Sequence, residues 1–268
     1  MRTILFVTLA LLLSGCETVQ TTQPGTVGVS RKQTMLVSSA EIDKAANQAY
    51  REVLADAQKK GQLNSNAQYL ARVRGIAQRL IPQTGAFRPD APGWQWEVNV
   101  IASKEVNAWC IPGGKIAVYT GLINTLKATD DELAAVMGHE IAHALREHGR
   151  EQASQQAMQS IGVSVVGAAL GLGELGQTLT QSVIDVTFNL PHSRTDETEA
   201  DRIGVELAAR AGFDPHAAVT LWEKMQKSGG SQPPQWLSTH PSNTTRISDV
   251  TGYAAKVQPL YEAARAKR

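Results

Sequence analysis

Cysteine is scarce in this chain: 2 of its 268 residues, Cys16 and Cys110. That excludes a disulfide framework, and it excludes a structural zinc site closed by several thiolates. Net charge is also low, with 26 basic residues against 25 acidic ones, and no arginine-rich or lysine-rich block appears. A nucleic-acid partner is therefore not expected. Long hydrophobic runs are missing as well. The longest near the start, Ile4 to Leu13, is ten residues, too short to span a bilayer as an ordinary helix.

With its basic opening Met1-Arg2-Thr3, that short run reads as a signal peptide over residues 1–15. Leu13-Ser14-Gly15-Cys16 then resembles a bacterial lipobox, in which Cys16 is lipidated and anchors an otherwise soluble body to a membrane. Residue 17 is Glu and not the Asp that commonly retains such proteins at the inner membrane, which favours the periplasmic face of the outer membrane. Removing residues 1–15 takes away only Arg2, so 25 basic residues then balance 25 acidic ones. Cys110 is left without a partner and reads as a small buried side chain, with pairing to another molecule as the alternative. Residues 16–38, rich in Thr, Gln, Gly and Ser, show no hydrophobic period and read as a tether.

The body, residues 39–268, opens on helical spacing. Ile42, Ala45, Ala46, Ala49, Tyr50, Val53 and Leu54 mark a first helix; Leu70, Val73, Ile76, Ala77 and Leu80 mark a second, from about Asn66 to Pro82. Alternation of Trp94, Trp96, Val98 and Val100 marks a strand. Lys115 to Thr120 marks another, and Pro112-Gly113-Gly114 between them suits a hairpin or a sheet edge. Such an edge can add an extended peptide to the sheet, or can be an ordinary hairpin. Residues 161–176 are small, apolar and glycine-rich. They read equally as a cover over a cleft, a region that touches lipid, or a packed helical hairpin.

Thr129 to Leu145 is the stretch with chemistry in it. Thr129 and Glu132 have the spacing of a capping box, and Asp130, Asp131 and Glu132 complement the positive end of a helix. His139 and His143, at i and i+4, share a face and can bind one zinc ion. Glu140, offset from them, is placed to act as a general base. A catalytic site needs a third protein ligand. The HExxHxxGxxH pattern would require glycine at 146 and histidine at 149, whereas the chain has Arg146 and Gly149. The other class takes a glutamate from a later helix, and Ser193 to Asp201 fits it. Glu197 is the candidate ligand, and Asp201, four residues on, can accept a hydrogen bond from a ligand imidazole while Glu199 points elsewhere.

Leu133 to His143, Ser193-Arg194-x-x-Glu197-x-Glu199-Ala200-Asp201, Asn107-Ala108-Trp109 with Pro112-Gly113-Gly114, and Ser238-Thr239-His240-Pro241 together resemble the M48 family of zinc metallopeptidases. The resemblance covers about Ala40 to the end of the chain. It implies a gluzincin: an α+β, predominantly helical fold with a small mixed sheet beside the HExxH helix. It implies one Zn2+ held by His139, His143 and Glu197, Glu140 as base and acid, Asp201 behind the ligands, and Asn107 and Ala108 on the substrate edge. His240 stands where periplasmic relatives place a histidine that assists the transition state or occupies the open zinc position. The substrates implied are misfolded or stalled envelope proteins, with the outer-membrane assembly machinery as a possible partner. The competing function is a chaperone or assembly factor with a His-blocked site. Arg246 is a candidate carboxylate binder, for Glu199 or substrate. His192 is expected at the surface, and His148 and His216 in solvent. Partner binding through a tetratricopeptide array after His240 is not expected.

Overall fold

The structure is a computed structural model, and it describes residues 17–164, 185, 191–228, 235–241 and 245–267. Cys16 and residues 165–176 of the glycine-rich stretch lie outside the described residues. Among the described residues no helix is long and apolar enough to cross a membrane.

Two short strands come first, β1 (Glu17–Val19) and β2 (Gln33–Met35), paired antiparallel. The segment read as a tether is therefore packed. Val27, Val29, Met35 and Val37 are buried, and Gln33 bonds the Arg146 carbonyl and Glu151. Its partners lie more than a hundred residues away, which is why it carries no local period.

Helix α1 (Ser39–Lys59) starts at a capping box between Ser38 and Glu41, and α2 (Ala67–Leu80) is capped by Asn66. Then come β3 (Glu97–Ile101), β4 (Ala108–Ile111) and β5 (Lys115–Tyr119), a mixed sheet in the order β3-β5-β4. β5 pairs parallel with β3 and antiparallel with β4, so β5 is central and β4 is an edge. Gly113 and Gly114 turn the hairpin with φ of 79° and 85°, angles that a side chain would strain. Alternation divides the sheet's contacts. Ile101, Trp109, Ile111 and Ala117 join α1 in one buried cluster, while Val100, Ala108, Cys110, Ile116 and Val118 join α2 and the helices that follow.

After the short α3 (Thr120–Thr125), α4 (Asp130–Leu145) runs through the centre, buried continuously from Glu132 to Leu145. Its Thr129–Glu132 capping box forms as the sequence predicts. The polar stretch from Arg146 to about Ser160 reads in the sequence as a continuation of this helix, but the helix ends at Leu145, with Arg146 as its C-cap. Glu147 adopts φ 52°, and α5 (His148–Ser164) begins in a new register. Helix α6 (Arg194–Arg210) opens at Ser193 and crosses α4 glycine on glycine: a Cβ on Gly138 would stand 2.7 Å from the Gly204 carbonyl, and one on Gly204 2.7 Å from the His139 amide nitrogen. α7 (Ala217–Ser228) packs on α4, and the short α8 (Gln235–Thr239) precedes α9 (Arg246–Arg265), which packs on α6. The sequence places a helix over Asn243 to Val250, whereas the structure begins this last helix at Arg246.

Candidate active site

Helical periodicity on α4 sets His139 and His143 one turn apart, facing the first turns of α6. The Ser193–Asp196 capping box fixes where α6 starts, and so where Glu197 and Asp201 fall. His143 Nε2 lies 3.1 Å from His139 Nε2, and Glu197 reaches both, 3.5 Å from His139 and 3.4 Å from His143. His240, just after α8, brings Nδ1 to 2.9 Å from Glu197 Oε1 and 3.2 Å from His139 Nε2. All four side chains are buried, and their donor atoms lie within 4.8 Å of one another.

These separations suit a metal. Tetrahedral coordination with metal–ligand distances of about 2.0–2.1 Å sets donors about 3.3–3.4 Å apart, close to the spacings above. Imidazole nitrogens converging on one point and facing a carboxylate also need a cation, or shared protons, to offset their lone pairs.

Asp201 Oδ1 lies 3.0 Å from His139 Nδ1, so its carboxylate accepts a hydrogen bond from Nδ1–H and turns Nε2 toward His143 and Glu197. Arg246 pairs with two carboxylates of α6: it donates to Glu197 Oε2 and to Asp201 Oδ1, each over 2.8 Å. Its expected partner, Glu199, lies behind the cluster with Arg31, Arg146 and His148. Glu140 stands outside the donor group. Its Oε1 accepts from the Trp236 indole over 2.7 Å and lies 3.5 Å from His240 Nε2. Trp236 was not singled out in the sequence, although it sits one turn before His240 on α8.

Electrostatics sort the histidines. Burial alone would lower His139, but its bonds to Asp201 and Glu197 carry it up to about 9. Burial drives His143 well below its ordinary value. Glu197 is held well below the usual carboxylate range, since the surrounding imidazoles, His240 foremost, outweigh its burial. Cys110 is raised well above its ordinary value, first by burial and then by Glu140, and the thiol is free, as expected of a small buried side chain.

Two histidines contradict the sequence reading. His148 is fully buried, because the break at Glu147 turns it beneath His143, 2.9 Å away. His192 is half-buried and lies against His143, ring centroids 4.1 Å apart, because its amide donates to the Thr239 carbonyl and draws it into the site. Five of the six histidines thus gather here, and only His216 is exposed. Ala108 begins edge strand β4, and Asn107 directly precedes it. Both are buried, and the Asn107 side-chain oxygen accepts from the Ala108 amide over 2.9 Å. Trp109, Cys110, Pro112, Glu140, His143 and His240 line the mouth of the site. A hollow of about 470 Å³ adjoins it, sharing Pro112, Ala144 and Glu147.

A central HExxH helix met by a glutamate from a second helix, beside a small mixed sheet, is the arrangement of the gluzincin class of metallopeptidases. The chain belongs to peptidase family M48, whose sequence profile matches residues 67–254. It is 34% identical over 235 residues to the mitochondrial metalloendopeptidase OMA1 of Schizosaccharomyces pombe, covering 87% of this chain and 67% of that one. With the mitochondrial metalloendopeptidase OMA1 of Bos taurus identity is 36% over 200 residues, 69% of this chain and 37% of the relative. With the beta-barrel assembly-enhancing protease of Escherichia coli it is 32% over 176 residues, 60% and 35% respectively. The chain thus spans little more than a third of the bovine and E. coli relatives.

Proposed function

We propose that this protein is a zinc-dependent endopeptidase of the bacterial cell envelope that hydrolyses misfolded or stalled envelope proteins. The observation that carries the reading is the convergence of His139, His143 and Glu197 on one buried point with Glu140 beside it. The donor set fits zinc, which takes imidazole and carboxylate ligands in fours. When bound, zinc acts as a Lewis acid that polarises a scissile carbonyl and acidifies water. Glu140 takes the proton from the attacking water and later passes it to the leaving amine. The Trp236 indole holds one Glu140 oxygen and orients the other. Asp201 keeps His139 in the tautomer that can bind metal. Substrate binds extended along the β4 edge from Asn107 and Ala108, so backbone counts for more than side chains, and unfolded proteins expose backbone. The adjoining hollow offers room for flanking residues.

Location belongs to the same proposal. Cys16 carries the lipid, after removal of residues 1–15, and holds the enzyme at the periplasmic face of the outer membrane. The similarity to a relative named as a beta-barrel assembly-enhancing protease supports the envelope role and a link to outer-membrane assembly.

One observation favours a second reading. His240 Nδ1 already stands inside the donor group, which makes four protein donors where a catalytic zinc keeps one position open. A resting protein closed in this way acts as a chaperone or assembly factor until His240 withdraws.

The test is cleavage of an unfolded model protein by the full chain in detergent, compared with Glu140→Gln and His240→Ala at equal zinc content. Activity lost by at least a hundredfold in Glu140→Gln establishes the peptidase. Silence in the parent with activity in His240→Ala establishes the closed state. Silence in all three at full zinc occupancy rejects proteolysis.

A further inference from the structure

Among the described residues, the outward nitrogen of His143 meets neither a carboxylate nor a backbone carbonyl, the usual partners of a metal-binding imidazole. Its Nδ1 lies 2.9 Å from Nδ1 of His148. His148 is fully buried, and its Nε2 lies 3.1 Å from Glu199 Oε2. Two guanidinium groups hold Glu199: Arg146 Nε donates to Oε2 over 2.9 Å, and Arg31 Nε donates to Oε1 over 2.7 Å. Arg146 is itself fully buried and donates to the Thr21 hydroxyl and the Arg31 carbonyl, each over 3.0 Å.

With both imidazoles neutral, this chain of partners fixes where the protons sit. A carboxylate between two guanidinium groups is ionised and can only accept, so His148 Nε2 carries hydrogen and donates to it. A neutral imidazole has one donor and one acceptor, which leaves a lone pair on His148 Nδ1. That lone pair accepts the Nδ1 proton of His143. His143 Nε2 is then bare, with its lone pair directed at His139 and Glu197. His139 reaches the same state through Asp201 directly; His143 reaches it through an interposed histidine. The alternative tautomer of His143, with its proton on Nε2, cannot bind a metal there.

We infer that His148 is a positioning residue that fixes His143 in its metal-binding tautomer, with its own orientation set by Glu199. The inference rests on the proposal that His143 is a metal ligand, and its test separates the two. The full chain, purified in detergent and stripped of metal, is titrated with Zn2+ against a chromophoric chelator, with folding checked by circular dichroism. His148→Phe keeps the ring and removes the acceptor, so zinc binding weakens about 10–100-fold. His148→Gln restores an acceptor and recovers most of that affinity. His143→Ala loses tight binding altogether. Wild-type affinity in His148→Phe, with binding lost in His143→Ala, overturns the role of His148 and leaves the metal site standing. Zinc binding that survives His143→Ala, or is absent from the parent, overturns the ligand assignment and the inference with it. Should His148→Phe not fold, His148→Ala takes its place. Equal weakening in His148→Ala and His148→Gln then counts against the inference, since it would reflect shape and not hydrogen bonding.

Discussion

Arg246 has its guanidinium carbon 3.5 Å from the centre of the Trp222 ring while it bonds Glu197 and Asp201, all within the interior. Arg246→Ala would leave two buried carboxylates without that counter-charge, and loss of one partner from a buried pair costs about 3–5 kcal/mol. We expect a loss of that order in the metal-free protein and a smaller one with zinc present, because the added cation offsets part of the charge on Glu197. Denaturant unfolding with and without zinc measures both. Glu199 gives a prediction in pH. Its burial would raise it, but His148, Arg31 and Arg146 hold it at about 2 against an ordinary 4.5. A lowered acid stabilises the fold while ionised, so its contribution is complete above about pH 4.5 and is lost as pH falls toward about 2. In Glu199→Gln, stability at neutral pH falls and the acid limb of the stability curve flattens, as thermal melts between pH 2 and 7 would show. The network around Glu199 was not legible in the sequence. Only the alternation of Glu197, Glu199 and Asp201 was visible, and it says which residues share a face but not what that face meets.

Among the elements, the crossing of α4 and α6 is the most constrained. The two backbones touch at Gly138 and Gly204, next to His139. Gly204→Ala places a methyl against backbone, which cannot yield as a flexible side chain would. We expect a loss of about 1–3 kcal/mol and weaker zinc binding, read by chemical denaturation and metal titration. An equal change at Gly252, whose Cβ would meet nothing within 4 Å, serves as the control. Elements with a local cause were legible before the structure. The α4 capping box, the helical spacing of α1 and α2, the alternation in β3 and the glycine turn between β4 and β5 all depend on residues a few positions apart. The break at Glu147 was not legible, because a left-handed glutamate carries no sequence signal, and missing it put His148 in solvent. The packing of residues 17–37 was missed because its stabilising contacts, such as Gln33 with Glu151, are long-range and polar.

Over the whole molecule, that first segment belongs to the catalytic body. Arg31 lies among Glu151, Asp196 and Glu199, three carboxylates on two different helices. Its side chain is 32% exposed, so water screens part of the interaction. Arg31→Ala should cost about 2 kcal/mol, less than a fully buried pair, and a denaturant melt of the full chain checks it. The same docking has a consequence for distance. Strand β1 begins at Glu17, the residue directly after the proposed lipid attachment, so little slack remains between bilayer and body. A free linker of 20 residues would give the enzyme a reach of about 25 Å; the docked segment gives it a fixed standoff instead. With Cys16 lipidated as proposed, the protein would be confined to targets brought to the membrane surface, and a flexible insertion between Cys16 and Glu17 should extend cleavage to substrates displayed farther from the lipid.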